Sequence, residues 1–98
     1  MTIQTTTTGT TLTIILSGRL DTVTAPQLET AINNNINGIT RLLFDLDQLD
    51  YISSAGLRIL LTAQKTMNGQ GTMELVHVNH AVMDIFEITG FTDILTIR

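Results

Sequence analysis

The sequence predicts a single α/β domain with a mixed, largely parallel β-sheet of about five strands, an antiparallel N-terminal hairpin and about three helices. Segments with the period of a strand alternate with segments that have the period of a helix, an order typical of parallel strands joined by helical crossovers. An opening stretch rich in β-branched residues is divided by Gly9, where a tight reversal fits. The chain has 98 residues, enough for one hydrophobic core, so we expect one domain over residues 1–98.

The N-terminal hairpin is predicted from residues 2–8 and 11–17. Its first arm is mostly threonine and buries little apolar surface, as is typical of an edge strand. The second arm carries Leu12, Ile14 and Leu16 on one face, so this face is expected to point into the core.

A first helix is predicted over residues 24–38. Thr24 and Gln27 have the spacing of a capping box, and Gly38 offers a left-handed exit at the other end. A strand is then predicted within residues 40–49, where Leu42, Leu43, Phe44 and Leu46 form a nearly continuous apolar run typical of a strand covered on both faces.

The second half of the chain repeats this alternation. A second helix is predicted to begin near Ser53 or Ser54 and to end within residues 68–71. It is followed by a strand over residues 72–78, a helix over 79–90 with Asn79 as its cap and Gly90 at its end, and a last short strand over 93–98.

The composition excludes several classes of function. Five lysine and arginine residues stand against nine aspartate and glutamate residues, which gives a formal net charge of −4. The basic residues are scattered rather than gathered in a cationic stripe, so we expect no direct binding of nucleic acid. The chain has no cysteine, which excludes disulfides, thiolate nucleophiles and zinc ribbons.

No basic leader opens the sequence, and no apolar run approaches the ~18 residues of a membrane span. We therefore expect a cytoplasmic protein without a membrane span. An isoelectric point of about 4.7 and the absence of heptads predict a monomer between partners.

Two adjacent serines, Ser53 and Ser54, join an apolar strand to the second helix. One serine is explained as a helix cap, because its side-chain oxygen can accept a hydrogen bond from an unpaired amide of the first turn. If Ser53 is the cap, the hydroxyl of Ser54 is free to face outward. Gly56 follows within the helix, where glycine costs roughly 1 kcal/mol relative to alanine. That cost predicts a close approach, either of a partner or of another part of this chain.

The helix beyond Gly56 is more apolar than docking on a sheet requires. Leu57, Leu60 and Leu61 make one face, and Ile59 lies toward another. The additional apolar residues indicate either a thicker core or a surface for a protein partner.

Two segments of the sequence have the form of known motifs. In residues 42–65, LLFDLDQLDYISSAGLRILLTAQK, a strand leads through a loop into a segment similar to an Asp-Ser-Ser/Thr-Gly-Leu type motif, and residues 17–29, SGRLDTVTAPQLE, are similar to a Gly-x-Leu-Asp and Thr-Ala-Pro segment. Both segments resemble the motifs of the STAS domain, the family of bacterial anti-sigma factor antagonists. The order of elements also matches across nearly the whole chain.

The resemblance implies a role for individual residues. Ser54 corresponds to the serine that an anti-sigma factor kinase phosphorylates, and Asp21 to an acidic residue close to that serine. Ser53 stands where many members have aspartate, which makes it an alternative phosphate acceptor. The partner-binding surface implied by the family comprises Asp21, Ser53, Ser54, Ala55, Gly56, Arg58 and Ile59.

The function implied by this resemblance is that of an anti-sigma factor antagonist, a phosphorylation-controlled partner-switching protein. When unphosphorylated it binds an anti-sigma factor serine kinase and so releases a sigma factor, and a PP2C-type phosphatase resets it. Such a domain is not an enzyme and has no catalytic residue, metal or cofactor. An alternative within the same fold is a STAS subunit of a lipid-transporting ABC system or another non-enzymatic STAS signalling module.

Two enzymatic alternatives have less support in the residues. Ser54 could serve as a nucleophile, but the chain has only His77 and His80 as imidazole bases and no Gly-x-Ser-x-Gly elbow. Asp45 and Asp47 end a strand as the acceptor of a phospho-receiver does, yet the acidic pair and the lysine that such a receiver needs are missing. The two histidines are also too few for a metal site.

Overall fold

A computed structural model describes all 98 residues, Met1–Arg98. Four strands form one sheet in the order β1-β2-β3-β4, with β1 antiparallel to β2 and the other neighbours parallel. The predicted α/β class, the N-terminal hairpin and the three helices are confirmed. The elements are β1 (Thr2–Thr8), β2 (Thr11–Leu20), α1 (Ala25–Asn35), β3 (Arg41–Ile52), α2 (Ser54–Asn68), β4 (Thr72–Val76), α3 (His80–Thr89) and a 3₁₀ turn (Phe91–Asp93).

The core lies on one face of the sheet. Alternate residues of β2, β3 and β4 point to this face, as the pleat of a strand requires. The parallel register aligns Ile14 with Phe44 and Phe44 with Leu75, and all three side chains are fully buried. Leu28 of α1 and Leu60 of α2 belong to the same buried cluster. The helices therefore cover the face that carries the alternating apolar residues.

The opposite face of β3 is only partly covered. Leu43 and Asp45 are half-buried, whereas Leu42 and Phe44 between them are inaccessible. The prediction of a strand covered on both faces was therefore wrong. The apolar run hid the alternation because Leu43 is apolar and faces the outer side.

The predicted fifth strand over residues 93–98 is a second difference. The 3₁₀ turn occupies its beginning, and the C-terminal residues form a single parallel bridge between Leu75 and Ile97. Only two backbone hydrogen bonds join this segment to β4, from Leu75 N–H to Thr96 O and from Arg98 N–H to Leu75 O. So short an extended stretch makes too few ladder bonds to form a strand.

The first turn of α2 packs directly on the ends of β2 and β3. A Cβ atom added at Gly56 would lie 2.6 Å from Leu20 Cγ and 2.8 Å from Ile52 Cγ1, and both of these side chains belong to the core. The glycine is therefore required by close packing inside the protein, one of the two explanations that the sequence left open. All three helices fall short of the length and apolarity needed to cross a lipid bilayer.

We predict that Gly56→Ala lowers the free energy of unfolding by about 1–2 kcal/mol, because contacts at 2.6 and 2.8 Å place overpacking in the upper part of its usual range of about 1–3 kcal/mol, and the gain in helix propensity returns only about 1 kcal/mol. Urea denaturation followed by circular dichroism measures the change. Gly69→Ala at the other end of α2 is the matched control, since the nearest atom to its Cβ is Thr66 O at 3.4 Å. Equal stability of Gly56→Ala and the wild type would contradict this account of the packing.

Candidate functional site

Ser53 is the N-cap of α2, one of the two positions that the sequence left open for the start of this helix. Its backbone is extended, and its side-chain oxygen accepts a hydrogen bond from Gly56 N–H at 3.4 Å. Its own N–H donates to Leu20 O at 2.8 Å, and its carbonyl accepts from Leu57 N–H at 2.9 Å. Every polar group of Ser53 is thus used in joining the strands to the helix.

Ser54 takes no part in joining the strands to the helix through its side chain. It is the first residue of α2, its side chain is exposed, and its hydroxyl takes part in none of the side-chain hydrogen bonds of the structure. No acidic residue stands in the first turn of the helix. A free hydroxyl at the positive end of the helix dipole is accessible to another molecule and tolerates added negative charge.

Asp21 organises the turn between β2 and α1. One carboxylate oxygen accepts hydrogen bonds from Val23 N–H at 3.0 Å and from Thr24 N–H at 3.1 Å. The predicted capping box of Thr24 and Gln27 was wrong, because Thr24 has helical backbone angles and makes no side-chain cap bond. Its hydroxyl instead donates to Arg19 O at 2.8 Å and accepts from Asp21 N–H at 2.9 Å.

These hydrogen bonds set the charge state of Asp21. The bond from Thr24 N–H is the largest cause that holds the pKa of the Asp21 carboxyl below its usual value, and Val23 N–H and the Arg19 guanidinium act in the same direction. Partial desolvation opposes them. Asp21 is therefore a fixed negative charge beside the end of β2.

Arg19, whose role no sequence motif indicated, lies between Asp21 and the ring of Tyr51. The parallel register places Arg19 opposite Tyr51, and the guanidinium carbon is 4.3 Å from the centre of the tyrosine ring. Nε of the same arginine is 3.8 Å from Asp21 Oδ2. Val23, in the adjacent turn, is 80% exposed. The pairing depends on two register irregularities in β2 and β3, which no local sequence signal reveals.

The structure brings most of the predicted partner-binding residues to one end of the sheet, where β2 and β3 end and α2 begins. Asp21 follows Leu20, which is hydrogen-bonded to Ser53, and Ser54 and Ala55 continue into α2. Farther along α2, Arg58 is exposed and Ile59 is half-buried. Gly56 differs from the others, because it is buried beneath this surface against Leu20 and Ile52.

Ile59 also borders an open groove between α1 and α2. Glu29 and Ile32 line the groove on α1, and Ile59 and Thr62 line it on α2. Its volume is about 130 Å³, below the roughly 300–1,000 Å³ of a pocket that holds a cofactor or other small molecule.

Asp45 lies apart from the serines. It precedes the end of β3 by seven residues, and its Oδ1 atom is 3.1 Å from both His77 Nδ1 and Asp47 N. His77 follows β4 with φ of +57°, a left-handed conformation rare for residues other than glycine. The Asp45 carboxylate thus joins β3 to the residue that follows β4. The structure has no group of three or more histidine, aspartate or glutamate side chains that could hold a metal ion.

Comparison with known families agrees with this architecture. The family model of the STAS domain matches residues 2–98. The chain belongs to the STAS domain family. Among its STAS relatives, the Bordetella bronchiseptica protein BtrV is 39% identical over 84 residues, which cover 84% of this chain and 72% of BtrV.

Other relatives carry functional names. The anti-sigma-B factor antagonist of Listeria monocytogenes is 32% identical over 88 residues, covering 87% of this chain and 76% of its own. The anti-sigma factor antagonist SpoIIAA in its unphosphorylated form matches the fold with a TM-score of 0.78 at 19% identity, covering 99% of this chain and 87% of SpoIIAA. The phosphorylated form of SpoIIAA, from Bacillus, matches with a TM-score of 0.77 at 20% identity over 99% of this chain and 91% of SpoIIAA. Both forms of SpoIIAA therefore share this fold.

The different roles of the two serines predict different mutational effects. Ser53→Ala removes the cap of α2 and should lower the free energy of unfolding by about 0.5–1 kcal/mol, the lower part of the usual range because the bond is long. Ser54→Ala, its matched control, should leave stability within about 0.5 kcal/mol. Urea denaturation compares the two, and a larger loss for Ser54→Ala would reverse the assignment.

The lowered pKa of Asp21 predicts a dependence of stability on pH. Because the folded pKa is below the unfolded value near 3.9, the ionised carboxylate stabilises the fold above that value, and this contribution is lost as pH falls through the folded pKa. Asp21→Asn should therefore unfold with a shallower dependence on pH below about 4. Asp84→Asn on the exposed side of α3 is the control. Identical acid-unfolding curves for Asp21→Asn and the wild type would contradict the prediction.

Proposed function

We propose that this STAS domain is an anti-sigma factor antagonist whose binding is controlled by phosphorylation of Ser54. The main observation in support is that the hydroxyl of Ser54 is free and exposed, whereas the side chain of the neighbouring Ser53 caps α2. The names of the Listeria protein and of SpoIIAA support the same function. They favour it over the alternative of a subunit in a lipid-transporting ABC system.

The unmodified surface binds the partner in this proposal. Asp21, Ser53, Ser54 and Ala55 form the edge that contacts an anti-sigma factor of the serine-kinase type, and Arg58 and Ile59 extend it along α2. Gly56 contributes indirectly, by allowing α2 to approach the strands. Capture of the anti-sigma factor releases the sigma factor, while the STAS domain itself catalyses no reaction.

Phosphorylation reverses this binding. Ser54 Oγ attacks the γ-phosphorus of ATP on the kinase, the bond to the β-phosphate breaks, ADP leaves, and the hydroxyl proton passes to a base of the kinase. The new phosphate adds about −1.5 to −2 charges at pH 7 and carries three acceptor oxygens. A PP2C-type phosphatase returns the serine by hydrolysis of the bond between phosphorus and Ser54 Oγ, which releases inorganic phosphate.

The fold tolerates the phosphate, whereas the complex does not. The unpaired amides and the dipole at the start of α2 stabilise an anion at Ser54. In the complex the same charge must be desolvated, and Asp21 adds like-charge repulsion close by. A loss of 3–4 kcal/mol in binding corresponds to a few hundredfold in affinity, which is enough for a switch.

The test is phosphorylation by candidate serine kinases of the histidine-kinase-like ATPase type from the same genome. Incubation with ATP should add one phosphate of about 80 Da to the intact wild-type chain and to Ser53→Ala, but none to Ser54→Ala. Peptide mapping then assigns the residue. Calorimetric titration of the same kinase should give a dissociation constant a few hundredfold weaker for the phosphorylated chain.

Two results would contradict the proposal. Phosphate that is lost with Ser53→Ala and kept with Ser54→Ala would move the acceptor to Ser53. Equal affinity of the kinase for the phosphorylated and unmodified chains would mean that the modification does not control binding. Absence of transfer by every such kinase favours the alternative of a transporter subunit.

A further inference from the structure

The exposed side of α2 carries the unpaired cations of this protein. Three of the five lysine and arginine residues contact carboxylates: Arg19 reaches Asp21 at 3.8 Å, and Arg41 and Arg98 both contact Glu74. The remaining two, Arg58 and Lys65, form no ion pair, and both lie exposed on α2. A chain of net charge −4 therefore leaves its free positive charge on one helix.

Arg58 stands in a special relation to Ser54. It follows the serine by four residues on the same helix, and both side chains are exposed. Residues at this spacing lie on one side of a helix with their Cβ atoms about 5–6 Å apart. A guanidinium there is within reach of a phosphate on Ser54 and has the planar fork that binds phosphate oxygens in pairs. Lys65, by contrast, lies eleven residues beyond Ser54, or about 16 Å along the helix axis.

We propose that Arg58 is the intramolecular counter-ion of the phosphate on Ser54. The inference rests on the proposed function, because it requires that Ser54 be the modified residue. In the unmodified chain the free guanidinium of Arg58 is available to an acidic group of the anti-sigma factor. The phosphate then binds this guanidinium from within the same helix. Phosphorylation thus removes a cation from the interface in addition to bringing a negative charge.

Other charged groups near the serine are less suited to this role. Arg19 is the nearest alternative cation through the pairing of β2 with β3, but its guanidinium already contacts Asp21 and the ring of Tyr51. Asp21 itself repels a phosphate. On the α1 side, Glu29 borders the groove beside Ile59 and adds negative charge there. Arg58 is therefore the one cation near Ser54 with no competing carboxylate partner.

The second ionisation of the phosphate tests this pairing without any kinase or binding partner. Phosphoserine is inserted at position 54 during translation by an orthogonal tRNA and synthetase pair, and ³¹P NMR follows the titration of the full chain between about pH 4.5 and 8, around the usual second pKa near 6. The variants are Arg58→Gln, Arg58→Lys, Arg19→Gln and, as the control of equal charge, Lys65→Gln. Circular dichroism verifies that each variant is folded.

Arg58→Gln should raise the second pKa of the phosphate by about 0.2–0.4 units, the shift that corresponds to one exposed pair at this helical spacing. Lys65→Gln should raise it by less than about 0.1 unit, and Arg58→Lys should retain most of the wild-type value. The difference between wild type and Arg58→Gln should shrink in about 0.5 M salt, since an exposed pair is screened.

Equal second pKa values for wild type and Arg58→Gln would overturn the proposal, as would an equal shift from Lys65→Gln, which would indicate only net charge. A shift that appears with Arg19→Gln instead would assign the phosphate to the neighbouring strand. Absence of transfer to Ser54 by every candidate kinase would count against the proposed function but would leave this titration unchanged, so the two failures are distinguishable.

Discussion

The close approach of α2 to the ends of β2 and β3 determines the geometry of the site. Gly56 permits it, because any larger residue would bring a Cβ atom within 2.6 Å of Leu20. With the helix held this close, Ser53 N–H reaches Leu20 O and the Ser53 side chain caps the first turn. Ser54, one residue later, has no inward partner left and faces solvent. A buried steric constraint thus decides which of two chemically identical hydroxyls is available for chemistry.

The division between the serines also explains why a modification here need not disturb the fold. The residue that connects strand to helix is not the residue proposed to be modified, so a phosphate on Ser54 breaks no hydrogen bond of the structure. Asp21 is similarly separate, since its carboxylate is committed to the turn before α1 through Val23 and Thr24. Hydrogen bonds from backbone amides hold the carboxylate in place, so Asp21 acts on neighbouring charged groups through its electrostatic field.

Local sequence signals predicted much of this architecture, whereas features that depend on the pairing of distant residues could not be predicted from them. The Ser53 cap and the Asn79 cap were both predictable, because a cap depends on the residue and its next three neighbours. Thr24 satisfied the same rule and still failed, because its hydroxyl is paired with Arg19 O and Asp21 N–H, while Gln27 N–H donates to the Thr24 carbonyl instead. The contact of Arg19 with Tyr51 required the register of two strands with irregularities, which is set by the whole sheet. The role of Ser54 came from family resemblance, since spacing alone left a cap and its neighbour as an equal explanation.

The net charge of α2 explains how phosphorylation of Ser54 would control binding of a partner. Helix α2 has two cations, Arg58 and Lys65, and no acidic residue, so it carries a charge of +2 within a chain of −4. A phosphate of about −1.5 to −2 on Ser54 would bring this helix to between about +0.5 and 0. An acidic partner attracted to the unmodified helix would lose most of that attraction, even where the phosphate itself does not touch it. The sign of one helix surface, rather than a change of fold, is then the quantity that phosphorylation controls.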